Sequence, residues 1–394
     1  MKNSSMSFHD YEPRLALITH APFPIGNVST MRFTSYLKAL KKSSIFTYVL
    51  IYCPTRMAAH IKERSGEYEG IKYQYATDIT WKKYNIINKI LFLVKGLLSS
   101  VSFLKKNRIS TIILYGDNPF VVNLFYWAYA KLTKTRFVGD RSELPSIEER
   151  ESKVRLFIYG LKQKMFDGII IMTKQLMQFY AQYSRKEDFL FFLPMTIDPS
   201  RFKGVERKHQ CRPYIAAVFG THNRDGLLET LKSFDLYCQK GGGYDIKLVG
   251  DYYNMPNKAD LDSQLASSAY RDRVHILGRQ PNDKIPDILF NASILLTTPN
   301  FYVSGGFPTK LGEYMLSGVP IVATIAGELL DYITPGTDML MSAPGDFNMI
   351  SDNLLNIEKS PEYAKNLAVN AKHKAEDIFC ADSYIIKLKS FLFR

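Results

Sequence analysis

Residues 300–324, N-F-Y-V-S-G-G-F-P-T-K-L-G-E-Y-M-L-S-G-V-P-I-V-A-T, read as a loop, a short helix, a tight turn and a buried strand. Ile294-Leu295-Leu296-Thr297-Thr298 is a strand pattern running into that loop. Pro308 suits the first helical position, where a missing N–H costs nothing, and Gly318 suits the residue just past the helix end. With Pro308 opening the helix, the N–H groups of Thr309, Lys310 and Leu311 point out of its first turn without internal partners, and the helix dipole adds positive potential. Lys310 puts a full charge beside them, so the turn is a site for an anion such as a diphosphate. Glu313, one turn along, is placed to accept hydrogen bonds from a hydroxyl pair on whatever carries the phosphates. These residues alone are equally compatible with a plain surface loop and an ordinary helix.

Working outward, the same alternation of strand and helix fills the chain. Leu15–Thr19 is a short buried-strand pattern, followed by the Pro/Gly loop of residues 20–28 and a helix-like run to Leu40. Strand patterns recur at Tyr48–Tyr52, Thr111–Tyr115, Arg136–Gly139, Gly168–Met172 and Phe189–Leu193. In the second half they fall at Tyr214–Phe219, Asp245–Val249, Val274–Leu277, Ser293–Thr297, Val319–Ala323 and Met339–Ser342. Strands alternating with helices predict parallel sheets with helices on both faces, and no G-x-G-x-x-G dinucleotide fingerprint follows the first strand. At 394 residues the chain is long for one core. The expected division is 1–200, 201–375 and a C-terminal helix over 376–394 packing back toward the first domain. Asp198–Arg212 is the expected linker, and ligands are expected in a cleft, beyond the carboxyl ends of the strands.

The net charge of +13 is lopsided: residues 1–200 hold 29 Lys+Arg against 16 Asp+Glu, and residues 201–394 hold 22 of each. A basic first half points to a polyanion, either nucleic acid or an anionic membrane surface. Nucleic acid is disfavoured because the basic residues form no known motif with interleaved stacking aromatics. The apolar stretch Ile86–Leu104 carries Asn88, Lys89 and Lys95 and is not read as a membrane span. Its stripe of Ile87, Ile90, Leu91, Val94, Leu97, Leu98, Val101 and Leu104 reads first as core, and second as a face resting on headgroups. The scattered cysteines 53, 211, 238 and 380 have no metal-ligand spacing, and the N-terminus has no apolar run fit for a signal peptide. Both point to a cytoplasmic protein with reduced thiols.

Gly306-Phe307-Pro308-Thr309-Lys310-Leu311-Gly312-Glu313-Tyr314-Met315, continued by Ser317-Gly318-Val319-Pro320, resembles the donor-site signature of retaining GT-B glycosyltransferases, the group-1 class of family 4. Pro22-Phe23-Pro24-Ile25-Gly26 resembles the N-terminal loop of that class, and Leu277-Gly278-Arg279 its nucleotide-base segment. The resemblance implies two Rossmann-like α/β domains facing each other across a cleft. It implies transfer of a hexosyl or N-acetylhexosaminyl group from a nucleotide-diphosphate sugar, without metal or other cofactor, to a saccharide or lipid-linked acceptor at the cytoplasmic face of the membrane.

Residue by residue, the resemblance gives Glu313 the ribose hydroxyls and puts Thr309 and Lys310 near the diphosphate, with Pro308 and Gly306 also in the donor site. Gly220 matches the glycine after the first strand of the second domain, and Arg224 lies near the usual phosphate-binding basic pair, with Thr221 in the usual arginine position. Gly278 and Arg279 would lie at the base. Gly26 and Asn27 would approach the donor phosphates or the acceptor. His20, Asp117, Asn118, Asp140, Arg141 and Glu143, at strand ends of the first domain, are the candidates for acceptor or sugar contacts; the expected catalytic residues are Glu143, Asp140, Lys310 and Arg224, the last two neutralising the leaving diphosphate. The first glutamate of the class's E-x7-E motif falls on Gly305, which leaves the sugar end of the site without its common carboxylate. A nucleotide-sugar epimerase on the same fold and a non-catalytic nucleotide-sugar-binding module are the competing readings.

Overall fold

The computed structural model describes residues 12–26, 28–55, 61–81, 86–146, 150–220, 223–300 and 307–394, except for the side chains of Ile86 and Thr309. The chain forms two compact units, one of Met1–Thr196 with Ala381–Arg394 and one of Ile197–Cys380.

In the first unit, β1 (Arg14–Thr19) is buried at all but its first position, as a strand covered on both faces must be. It pairs in parallel with β2 (Phe46–Ile51) and β5 (Thr111–Tyr115). The sheet has the order β3-β4-β2-β1-β5-β6-β7-β8, with β3 (Ser65–Tyr68), β4 (Ile71–Tyr75), β6 (Arg136–Arg141), β7 (Gly168–Ile171) and β8 (Leu190–Phe192). Only β3 pairs antiparallel among the described strands. The β3–β4 hairpin has no counterpart in the sequence reading. Its turn is Glu69-Gly70, with φ of 49° and 80°, the positive pair of a tight hairpin turn.

Alternate strand residues face opposite layers. Leu15, Leu17, Val49, Ile51 and Ile113 share a core with Phe33, Tyr36 and Leu37 of α1 (Val28–Lys42). The C-terminal helix, Ile385–Leu392, closes the same layer: Phe391 stacks on Phe191 at 5.0 Å and Thr111 donates to the Leu392 carbonyl at 3.1 Å. Across the sheet lie α2 (Ile86–Lys106), α3 (Phe120–Thr133) and α4 (Lys153–Lys164), with α5 (Lys174–Ala181) following β7.

The core reading of the α2 stripe holds for one side only. Gly96, Leu97, Ser100, Phe103 and Leu104 are buried, whereas Ile87, Ile90, Leu91, Val94 and Leu98 are exposed. Gly96 explains the orientation. A Cβ there would collide with the Tyr52 carbonyl, so only a glycine lets the helix lie this close, and residues opposite Gly96 must point away.

The second unit is a six-stranded sheet of order β11-β10-β9-β12-β13-β14, with every described pairing parallel. The strands are β9 (Tyr214–Val218), β10 (Asp245–Val249), β11 (Val274–Gly278), β12 (Ile294–Thr297), β13 (Ile321–Thr324) and β14 (Leu340–Ser342). Between and after them run α6 (Leu227–Gln239), α7 (Lys258–Ser267), α8 (Ile285–Phe290), α9 (Thr309–Leu316), α10 (Phe347–Lys359) and α11 (Pro361–Ile378). In both units the chain winds one way from a central strand and then returns to wind the other way, leaving a switch point between β1 and β5 and another between β9 and β12.

The first unit is pinned by a buried ion pair. Arg32 in α1 donates to both oxygens of Asp140 at 2.8 Å and to the Leu193 carbonyl at 3.1 Å, and Tyr36 donates to Asp140 at 2.9 Å. Arg32 and Asp140 are 1% and 0% exposed. Asp140→Ala leaves the guanidinium buried and unpaired, and we expect a loss of about 3–5 kcal/mol. Chemical denaturation would show it; a change under about 1 kcal/mol would mean that the pair does not hold this unit together.

Candidate active site

The switch point of the second unit gathers the charged residues. Helix α9 begins one residue later than expected, with Pro308 flanking it as the N-cap rather than as its first residue. Of the three N–H groups expected to point outward, that of Leu311 already donates to the Pro308 carbonyl at 2.9 Å. Gly318, at φ 66°, ends the helix as the left-handed residue. Tyr314 fixes the helix to the sheet: its buried hydroxyl accepts from the Val218 N–H at 2.7 Å, at the carboxyl end of β9. Phe307 anchors the entry, with its ring 5.5 Å from Tyr332 and 5.2 Å from Phe379.

The β9–α6 loop is folded around Asp225. Its carboxylate accepts from the Gly220 N–H and pairs with Lys310 at 3.1 Å. Gly226 follows with φ 69°, and Thr298 donates to its carbonyl at 2.7 Å. A Cβ at Gly226 would also strike the Thr298 carbonyl, so both the turn and the close approach require glycine. The Asn300 N–H donates to the Arg224 carbonyl at 2.9 Å, tying the loop after β12 to the loop after β9.

Glu313 is 9% exposed and forms an ion pair with Arg201 at 2.7 Å. Burial pushes its carboxyl above the ordinary range, and the guanidinium pulls it partly back. Lys310 is held below the ordinary ammonium range, chiefly by burial and further by Arg224, while Asp225 offsets both. Two cations therefore crowd one carboxylate beside the first turn of α9. An arriving anion would relieve that crowding.

Arg201 and Asp225 were not singled out in the sequence. Arg201 lies within the expected linker, in a 3₁₀ turn over Pro199–Phe202 that Asp198 caps by accepting from the Ser200 N–H at 3.0 Å. The D-P-S pattern signals that turn, but nothing local reports a partner more than one hundred residues away.

Other expected residues separate. Gly278 and Arg279 sit at the outer strand β11, where Arg279 pairs with Asp251 at 3.1 Å. Gly26 faces its own chain: a Cβ there would strike Thr30 and the Pro22 carbonyl, which accepts from the Thr30 hydroxyl at 2.8 Å. Asn27, Gly306, Thr221 and Gly305 lie outside the described residues, as does the Thr309 side chain.

At the switch point of the first unit, Asn118 is consumed as a strut. It donates to the carbonyls of Tyr115 and Gly116 at 3.0 and 3.1 Å and accepts from Tyr52 at 2.9 Å. Asp140 is likewise enclosed in its pair with Arg32, which corrects the catalytic assignment. Arg141 is buried and donates to the carbonyls of Leu114 and Gly116 at 3.3 and 2.5 Å. Glu143 is exposed in the loop after β6. His20 meets the Tyr52 ring edge-on at 6.3 Å and is held below its ordinary value, chiefly by desolvation. Asp117 pairs with Lys162 at 2.6 Å. Both line a cavity of about 310 Å³ with Phe120, Arg155, Ile158 and Tyr159.

The chain has the GT-B architecture of two Rossmann-like α/β units. Within its second unit, residues 212–359 match the family model described as "Glycosyl transferases group 1". Over 164 residues the chain is 27% identical to a 2-deoxystreptamine glucosyltransferase of Streptomyces kanamyceticus; the match covers 39% of this chain and 41% of that enzyme. Sucrose-phosphate synthase of Thermosynechococcus elongatus superposes with a TM-score of 0.73 at 13% identity, over 96% of this chain and 98% of the other. HepE of Anabaena, solved with UDP, gives 0.70 at 13% identity, over 96% and 99%. TarM, solved as a mutant with α-GlcNAc-glycerol and UDP, gives 0.68 at 11% identity, over 97% and 100%.

Since Arg201 lowers the Glu313 pKa, Arg201→Met should raise it further. Carboxyl-carbon NMR titration of the two proteins checks this; a midpoint that falls or stays put in the variant would show that Arg201 does not govern Glu313.

Proposed function

We propose that the protein is a retaining glycosyltransferase of family 4. It moves a hexosyl or N-acetylhexosaminyl group from a nucleotide-diphosphate sugar to a cell-surface polysaccharide or glycolipid precursor at the cytoplasmic face of the membrane. The observation that carries the reading is the first turn of α9, where the partly buried Lys310 and the buried Glu313 stand beside the switch point of a unit that matches the group 1 model. Glu313 accepts from the ribose hydroxyls, with Arg201 holding the carboxylate in place. Lys310 and Arg224 neutralise the diphosphate.

In transfer, the bond from the anomeric carbon to the diphosphate oxygen breaks, and the acceptor oxygen bonds on the same face. The acceptor proton passes to the departing phosphate. Charge develops on the diphosphate, so prepositioned cations stabilise the transition state and no protein nucleophile is required. The reaction is proposed to be metal-independent, because these two cations supply the neutralisation a metal would. Among the described residues no cluster of three or more His, Cys, Asp or Glu is placed to hold an ion. The acceptor is assigned to the first unit, at the cavity beside Asp117 and Lys162, with His20 and Glu143 in the same unit as further contacts. The excess of basic residues in 1–200 supports an anionic, membrane-held acceptor and disfavours none of the saccharide classes.

A panel of nucleotide sugars with a membrane-lipid acceptor extract tests the reaction class. Nucleotide release with acceptor labelling supports transfer; sugar isomerisation without release, or binding alone, overturns it. Glu313→Ala should cost nucleotide affinity about 1.5–3 kcal/mol, roughly 10- to 100-fold, and Lys310→Ala should chiefly lower turnover. Unchanged kinetics in both would refute the site. The Glu313 carboxyl must be ionised to accept most strongly, and its folded pKa is raised. Donor affinity should therefore fall as pH drops through a midpoint above the ordinary glutamate range, a dependence that Glu313→Gln should lack.

A further inference from the structure

We propose that the outer face of α2, α3 and α4 is a docking surface for an anionic lipid bilayer. The first observation is an inverted helix. A helix on the surface of a soluble domain turns its apolar stripe inward and its polar side to water. Helix α2 buries Gly96, Leu97, Ser100 and Leu104 and still presents Ile87, Leu91, Val94 and Leu98 outward, with Leu98 62% exposed. The glycine contact at Tyr52 locks this orientation, so those four side chains cannot be turned inward by rotating the helix. By length and composition α2 would also serve as a membrane span, but its inner face is part of the first unit's core, which leaves surface contact as the available mode.

The second observation is continuity. The Tyr126 hydroxyl of α3 donates to Ser100 of α2 at 3.2 Å, and Lys162 of α4 donates to the Asn118 carbonyl, at the entrance to α3, at 3.2 Å. The three helices thus lie side by side. Beyond the α2 stripe, Val121 and Leu124 of α3 and Val154 and Phe157 of α4 are also exposed, with Phe157 at 67%. Single exposed apolar side chains are ordinary; a patch running across three adjoining helices marks an interaction surface.

The third observation is charge. None of the three helices contains an Asp or Glu, while Lys89, Lys105, Lys106, Lys153, Arg155 and Lys164 are exposed on them. Apolar side chains inserted among acyl chains, with long basic side chains reaching phosphate headgroups, is the pattern that selects an anionic bilayer over a protein partner. The patch also shares Phe120 and Ile158 with the cavity beside Asp117 and Lys162, so a lipid-linked acceptor could keep its tail in the bilayer and its head at that cavity. That last step rests on the function proposed above; docking itself does not.

The test is flotation of the full chain with vesicles of phosphatidylcholine alone or mixed with phosphatidylglycerol. Binding to the mixed vesicles, weakened by salt, is expected. Leu91→Glu/Leu98→Glu and, separately, Lys105→Glu/Lys106→Glu should each weaken it about tenfold or more while leaving thermal stability unchanged. Should the leucine pair compromise folding, Val94→Ser with Leu98→Ser supplies a milder variant with the same expected direction. Undiminished binding in folded variants, or equal binding to neutral vesicles, overturns the proposal. So does absence of vesicle binding together with a concentration-dependent dimer that the leucine variants dissociate, which would make the face a self-association surface. Vesicle binding without sugar transfer would keep this inference and remove the proposed function. Transfer to a water-soluble acceptor without vesicle binding would remove this inference and the membrane-held acceptor with it, and keep the transfer reaction and the donor site.

Discussion

Two charges three residues apart on an eight-residue helix constrain the second unit. Lys310 and Glu313 must lie on the same side of α9, and both are largely withdrawn from water. Taking a charge out of water costs several kcal/mol, so each needs a counter-charge in place. The two partners come from separate segments earlier in the chain: Asp225 from the loop after β9, and Arg201 from the turn that begins the unit. Once both pairs are set, the positions of that loop, that turn and the helix are no longer independent. Asp225 extends the constraint by also accepting the Gly220 N–H, so the loop backbone and the Lys310 ammonium share one carboxylate.

That arrangement sits where it does because of topology. Strands β9 and β12 are neighbours whose following helices depart to opposite sides, so the loops at their carboxyl ends separate and leave a crevice. The walls are made rigid by backbone contacts rather than by bulk. Gly226 approaches the Thr298 carbonyl more closely than any side chain would allow, and Asn300 bonds the Arg224 carbonyl. A preorganised cationic crevice costs little reorganisation when negative charge develops on a leaving group, which is the physical requirement of diphosphate departure.

The strand patterns were legible because buried parallel strands are nearly continuous apolar runs: Thr111–Tyr115 and Asp245–Val249 carry the same limits in both readings. The β3–β4 hairpin was not legible, because Glu69-Gly70 is a weaker turn signal than Asn-Gly and β3 is mostly exposed. On α9 the pattern located both charges and the terminating glycine, but could not say that Leu311 would spend its N–H on Pro308. The partners of the two charges were hidden for a more general reason. Ion pairs between distant segments leave no periodic trace, so Arg201 read as linker and Asp140 read as reactive when it is the buried mate of Arg32. The apolar stripe of α2 shows the converse limit. Periodicity reports that a helix has an apolar face, and one glycine at the opposite side decides whether that face looks inward.

The two crevices occupy equivalent topological positions and differ in how their polar groups are spent. In the second unit the charges stand at the crevice with one partner each, a state that a ligand can compete for. In the first unit, Asn118 has both its amide and its carbonyl committed to Tyr115, Gly116 and Tyr52, and Asp140 is sealed within the core. Among the described residues, polar groups open to a ligand lie at the edge of the crevice, where the partly exposed Asp117 meets Lys162 against the apolar surfaces of Phe120 and Ile158. Such a lining, part polar and part apolar, is poorly matched to a fully hydrated sugar and better matched to a molecule that carries an apolar segment beside an anionic group.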